Sequence, residues 1–301
     1  MKKLLGMICL YWIWGSTYLA ISFGIASVPP FIFGGIRFLL AGALLYGGLR
    51  LWGTPAPERK HWKGAAAVGI LMVVGGNGLV TWAELTVPTG LAGVIIASVP
   101  LWMAVIDPLF LGGKIPTKAT CVGLATGFIG VALLVGATIG DLTNSGFGLL
   151  ALVAASAFWA MGSLLSRKIE LPPFTPLAVA MEFLIGGAIL IFISGIAGEW
   201  TTLLTFGINI DSKAIIALFY LVFIGSMLAF SVYMWLLKNS NPLLVGTYAF
   251  VCPVVAVILG WLVKGEAMSN TTIIATILVV LSVAFVLVET QKQRMKAKCL
   301  A

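Results

Sequence analysis

Few side chains in this sequence could do chemistry, and where they stand matters more than how many there are. Arg37, Glu84, Asp107 and Glu182 are ionisable groups inside otherwise apolar runs. A charge at the centre of a bilayer costs about 2.5–3.5 kcal/mol on insertion scales, so each needs a partner or a task. At ~1.5 Å of rise per residue, Arg37 lies about 9 Å and Glu84 about 3 Å below one boundary, with Glu182 about 12 Å from the other. Two roles are open for Arg37: contact with an anionic or carboxylate group, or mutual satisfaction with Glu84 near the outer mouth. Glu182 has no charged neighbour on its own face and reads as a proton-coupling or substrate-contacting acid. Asp107 reads as half of an inner-interface ion pair.

Neutral groups complete the candidate set. Trp14, Ser16 and Tyr18 lie in the first apolar run, Asn77 and Thr81 stand four apart in the third, and Ser98 precedes Pro100 in the fourth. Trp159 and Ser163 sit in the sixth run and Tyr248 in the ninth, five residues before Pro253. Trp14 and Trp159 fall about halfway along their runs, away from the interfacial belt that usually holds tryptophan. Aromatic faces with a few neutral hydrogen-bonding groups suit a small amphipathic solute. Covalent, metal and nucleotide chemistry lack their residues. The single histidine, His61, reads as a solvated loop residue, and the four cysteines form no C-x-x-C. No acidic pair falls at helical spacing, and no Walker-type phosphate loop exists. A membrane-embedded enzyme therefore has no catalytic set, and neither a cofactor nor a metal is expected. A scaffold or sensor would need a soluble partner domain, whereas the longest loop is about 15 residues.

The elements that must position these groups follow from composition. Of 301 residues, 60% are hydrophobic and 9% charged, with mean hydropathy +1.11. Soluble domains run about 45–50% apolar and about 25% charged. Runs of this length and continuity exclude a disordered chain and an alternating transmembrane barrel. The sequence predicts an all-α polytopic membrane protein with ten spans near 4–25, 31–51, 64–86, 89–112, 118–137, 147–167, 174–198, 213–236, 242–263 and 271–289. With the first residues inside, fifteen of the eighteen Lys and Arg fall on the cytoplasmic side; Lys213 and Lys264 fall outside and Arg37 within a span. That bias sets both termini in the cytoplasm, assigns the net charge of +8 to anionic lipid, and removes any need for nucleic acid.

The halves repeat. Arg37 and the eight residues after it match Glu182 and the eight after it at an offset of 145, which also pairs Trp14 with Trp159. Further on an offset of 153 pairs Trp82 with Trp235, Gly93 with Gly246 and Pro100 with Pro253. Five helices per repeat is odd, so the copies must cross in opposite senses, the architecture of many alternating-access transporters. Pro100 and Pro253 are expected to break matched helices beside the substrate site.

Trp14-Gly-Ser-Thr-Tyr18, Pro29-Pro30, Arg37-Phe38, Gly76-Asn-Gly78, Pro100, and Tyr248-x-x-x-x-Pro253 followed by Gly265-Glu266 together resemble the drug/metabolite transporter superfamily. More narrowly, they resemble its two-repeat EamA members, over essentially the whole chain. The resemblance implies repeats at 1–137 and 147–290, a basic tail at 291–301, and a secondary transporter in the plasma (inner) membrane. It also implies export of a metabolite, amino acid or amphipathic amine, with membrane lipid and a small solute as partners; protons and oligomeric state stay open. Where the second repeat has Gly265-Glu266 the first has Gly112-Gly113, so a role for that acid transfers to Glu266 alone. A reporter fused after residue 298 should read as cytoplasmic; an external signal would overturn the charge-based topology.

Overall fold

The computed structural model describes residues 2–136 apart from 88 and 114, residues 146–264 apart from 207–209, and scattered positions from 270 to 292. Among the described residues every regular element is helical. Six stretches are long and apolar enough to cross a membrane: Lys2–Ile25, Pro30–Leu51, Arg59–Ala83, Gly146–Leu165, Thr175–Ile196 and Ser212–Asn239. Large apolar side chains such as Leu109, Phe110, Phe192 and Ile216 stand exposed around them, as lipid-facing residues do. The expected run at 271–289 falls only partly within the described residues, and Glu266 and the tail beyond 292 lie outside them.

Helix α1 is Lys2–Ile25 and α2 is Pro30–Leu51, opened by a proline at a position where its missing N–H is no loss. The third stretch is composite: α3 (Arg59–Gly69) passes through a π-helical segment, π1 (Ile70–Gly78), into α4 (Leu79–Ala83). His61 is buried, and its Nδ1 accepts from the Glu58 backbone N–H at 3.2 Å, so this histidine caps α3 where a solvated loop residue was expected. Then follow α5 (Thr89–Ile96), α6 (Val99–Phe110), α7 (Lys118–Gly136), α8 (Gly146–Leu165) and α9 (Thr175–Ile196). A short α10 (Glu199–Phe206) precedes α11 (Ser212–Tyr220), a second π-helical segment π2 (Leu221–Leu228), and α12 (Ala229–Asn239). Helices α13 (Pro242–Gly246) and α14 (Tyr248–Lys264) complete the described order.

Two apolar runs that read as single spans are broken in the structure. The fourth turns at Ala97 and Ser98, leaving Pro100 in the first turn of α6. The ninth breaks at Thr247, so the break expected at Pro253 is displaced and that proline lies inside α14. The cause is local. Gly246 is a weak helix former, and the Thr247 N–H closes onto the Leu244 carbonyl only three residues back, at 3.2 Å. Pro253 removes one donor from a helix packed on both sides and leaves it continuous.

The most extensive seam joins α2 to α9, which run antiparallel. A Cβ added at Gly42 would lie 2.9 Å from the Leu184 nitrogen and 3.0 Å from the Ala180 oxygen. One added at Gly187 would lie 2.7 Å from the Leu39 nitrogen and 3.1 Å from the Gly35 oxygen. The pairs exchange under the sequence offset of 145, so the contact is reciprocal. Only glycine lets two backbones come this close. On the side where α2 begins, both Glu199 oxygens accept from the Phe31 and Ile32 N–H groups at 3.1 and 2.8 Å, capping α2 from α10. Burial raises the Glu199 pKa and these two bonds oppose the rise.

Gly42→Val should cost at least about 1–3 kcal/mol, because its obstacle is backbone that cannot rotate away. Thermal melting of the purified protein in detergent would show it as a lowered Tm. Gly47→Ala, on the same helix with nothing within 4 Å, should leave Tm unchanged or slightly higher.

Candidate functional site

On α1, Trp14, Tyr18 and Ile21 recur at i, i+4 and i+7, with Thr17 between them, so one helical face presents all four to the interior. They line a small cavity of about 70 Å³ together with Arg37 from α2, Gly76 and Asn77 from π1, Val80, Ile96, Ala155, Trp159, Gly225, Phe230, Tyr248 and Cys252. The α1 residues place it from mid-helix toward the end where α1 finishes.

An aromatic layer closes the other end. The Trp14 and Trp159 rings meet edge to face with centroids 5.4 Å apart, and Trp14 lies 4.9 Å from Tyr233 and 4.7 Å from Tyr248. Phe230 packs against Trp159 at 5.7 Å and Phe183 at 4.8 Å, and Phe183 meets its sequence equivalent Phe38 at 5.0 Å. Hydrogen bonds fix the rings. Trp159 Nε1 donates to the Tyr233 hydroxyl at 3.1 Å, and that hydroxyl bonds Ser163 Oγ at 2.7 Å.

The π segments make room for both indoles. In π2 the Ala229 N–H reaches back five residues to the Ile224 carbonyl. The Gly225 carbonyl, which an α-helix would give to Ala229, accepts from Trp14 Nε1 at 3.1 Å. In π1 a Cβ at Gly76 would lie 2.7 Å from the Trp159 ring, so the ring rests on bare backbone.

Among the sequence candidates, Trp14, Tyr18, Arg37, Asn77, Trp159 and Tyr248 thus border one cavity. The remaining neutral groups turn elsewhere. Ser16 donates to the Ile13 carbonyl and bonds the Tyr220 hydroxyl, Thr81 donates to the Asn77 carbonyl, and Ser98 donates to the Ile95 carbonyl. Ser163 serves the aromatic layer. Each hydroxyl finds its acceptor within a turn of its own helix or on a packed neighbour, and is corrected from cavity wall to structural bond. Pro100 and Pro253 do not reach the cavity. Instead, a Cβ at Gly246 would lie 3.3 Å from the Pro100 ring and one at Gly93 3.5 Å from the Pro253 ring.

The charges divide. Arg37 is 4% exposed and its Nε donates to Ser226 Oγ in π2 at 2.9 Å. Glu84 is near enough to feel the Arg37 charge but makes no ion pair with it, and both of its oxygens are buried without a partner. Mutual satisfaction of Arg37 and Glu84 is therefore replaced by a hydrogen bond across to the other half of the chain. Glu182 is wholly buried on α9, outside the cavity, with neither oxygen bonded. Asp107 forms no ion pair among the described residues.

Thr17, Gly225, Ser226, Phe230 and Tyr233 belong to the site but were not among the sequence candidates. Thr17 was legible, three residues from Trp14 on the same face. The other four sit in or just after π2, whose register no helical periodicity gives.

The EamA-like transporter family model matches residues 1–136 and again 146–288. An uncharacterized inner membrane transporter of Escherichia coli, YedA, is 39% identical over 281 residues, covering 93% of this chain and 89% of that protein. A probable amino-acid metabolite efflux pump of Salmonella typhimurium is 22% identical over 273 residues, covering 89% and 88%. A crystal structure of a protein 21% identical superposes with a TM-score of 0.76, covering 96% of this chain and 97% of that one.

Proposed function

Because this chain belongs to the EamA-like transporter family, we propose that its central cavity is the substrate site of an exporter for a small organic metabolite. The carrying observation is that Trp14 and Trp159, equivalent in the two halves, meet at one cavity wall. The Salmonella relative, a probable amino-acid metabolite efflux pump, supports the same substrate range.

Two inverted five-helix repeats and ten crossings with both termini cytoplasmic complete the reading. Equivalent residues touch each other at Trp14–Trp159 and Phe38–Phe183, as they must beside a two-fold axis. The Gly93–Pro253 and Gly246–Pro100 approaches are reciprocal in the same way. In this arrangement the cavity occupies the outer half and the aromatic layer seals the inner half. Alternating access then transfers the opening from one side of that layer to the other. The Tyr18 hydroxyl and the Asn77 amide oxygen supply neutral hydrogen-bond groups and the indoles supply apolar faces, while the Thr17 hydroxyl and Asn77 Nδ2 donate to the Trp14 and Met72 carbonyls.

Purified protein in liposomes, offered a panel of amino acids and amines with and without a pH gradient, tests this. Trp159→Ala should lower flux about tenfold or more while yield and helicity are kept; wild-type flux in that variant would overturn the site. If protons are coupled, Glu182 is the acid that carries them. Glu182→Gln should then abolish gradient-driven flux and spare exchange, whereas equal loss of both would assign it to packing.

A further inference from the structure

Arg37 is the single charged residue among those that line the cavity, and no carboxylate borders it. Its guanidinium is only partly used. Nε is spent on Ser226 Oγ, and the Nη groups find no acceptor among the described residues. The guanidinium carbon lies over the Phe38 ring, 4.6 Å from its centroid, and the residue lines the cavity. The nearest opposing charge, Glu84, leaves its own oxygens unbonded at more than ion-pairing distance. One hydroxyl and one ring face leave this cation, held at 4% exposure, without a counter-ion among the described residues, which a ligand could supply.

We propose that the cavity binds a carboxylate, anchored by the outer fork of Arg37, with its apolar body laid among Trp14, Trp159 and Phe230. The inference rests on the cavity being the substrate site and names its substrate class. A guanidinium presents parallel N–H donors matched to the two oxygens of a carboxylate. Ser226 holds Nε from the opposite half, which fixes the plane of the fork and leaves its far edge pointing into the cavity. The Tyr18 hydroxyl, on the same wall and without a protein partner among the described residues, adds a neutral donor. An amine entering this space would meet a like charge and no acid. The chemistry thus separates two solute types, carboxylate and amine, that family membership leaves together.

The test uses three probes sharing one ring: phenylacetate, phenylacetamide and phenethylamine. Binding is read by quenching of tryptophan fluorescence, since Trp14 and Trp159 border the site, and flux is read in liposomes. Wild-type protein should bind phenylacetate about tenfold or more tighter than the amide, and the amine weakest. Arg37→Gln should level the carboxylate and the amide, and Ser226→Ala should narrow their ratio with Arg37 still present. Glu84→Gln should leave the preference in place. Equal binding of acid and amide by the wild type overturns the proposal without any variant, as does tighter binding of the amine. Quenching and flux by all three probes, unchanged in Arg37→Gln, would sink the carboxylate anchor and keep the cavity as a substrate site. If none of the three binds and Trp159→Ala leaves flux on the wider panel intact, the cavity reading itself fails.

Discussion

Lipid tails are as apolar as leucine side chains, so inside a bilayer the hydrophobic effect does not press one helix against another. What holds helices together there is the closeness of their surfaces. In this protein the most extensive close approach lies between α2 and α9, where Gly42 and Gly187 let each backbone touch the other. Much else hangs from that seam. It fixes Phe38 against Phe183, sets Arg37 opposite π2, and holds α9 beside α3 and π1. Glu199 secures one end of it by capping α2.

The α-helical class was legible because burial in lipid forces every backbone group to find its partner within a helix, which leaves long unbroken apolar runs. The six stretches that qualify by length and hydropathy start and stop within a few residues of the runs read from sequence, apart from the third, which begins five residues early on the His61 cap. The broken helices were legible only in part. A proline announces a missing donor, and at Pro253 that signal misled, because a packed helix tolerates one lost bond while Gly246 and Thr247 break the chain with no proline in the break itself. The π segments gave no signal at all. They depend on glycine meeting a bulky ring from another helix, Gly76 under Trp159 and the Gly225 carbonyl on Trp14, a fact of tertiary structure.

The site obeys the same division. Large aromatic groups on a regular helix, Trp14 and Tyr18, face where periodicity puts them. Short hydroxyl side chains do not declare a direction, because a serine or threonine in a membrane helix can always turn back to its own carbonyls. Ser16, Thr17, Thr81 and Ser98 all do that, and of the four only Thr17 borders the cavity, beside Asn77 and the rings. Arg37 is too long to turn back and reaches across to Ser226 in π2, a partner to which the sequence did not point.

Arg37 and Glu182 occupy one and the same position in the two copies of the repeat, yet their charges are opposite. Under the inverted arrangement proposed above, reversing the molecule from one facing to the other does not regenerate an equivalent chamber. On that reading one chamber is walled by a cation, and its two-fold counterpart would be walled by an acid. Detailed balance forbids such an inequality from choosing the direction of net flow, which belongs to the gradients alone. It does allow the half-saturation concentration to differ between the two faces of the membrane. A carrier built from two related halves would thereby be kinetically lopsided through one pair of residues, much as a diode departs from a wire without being a battery.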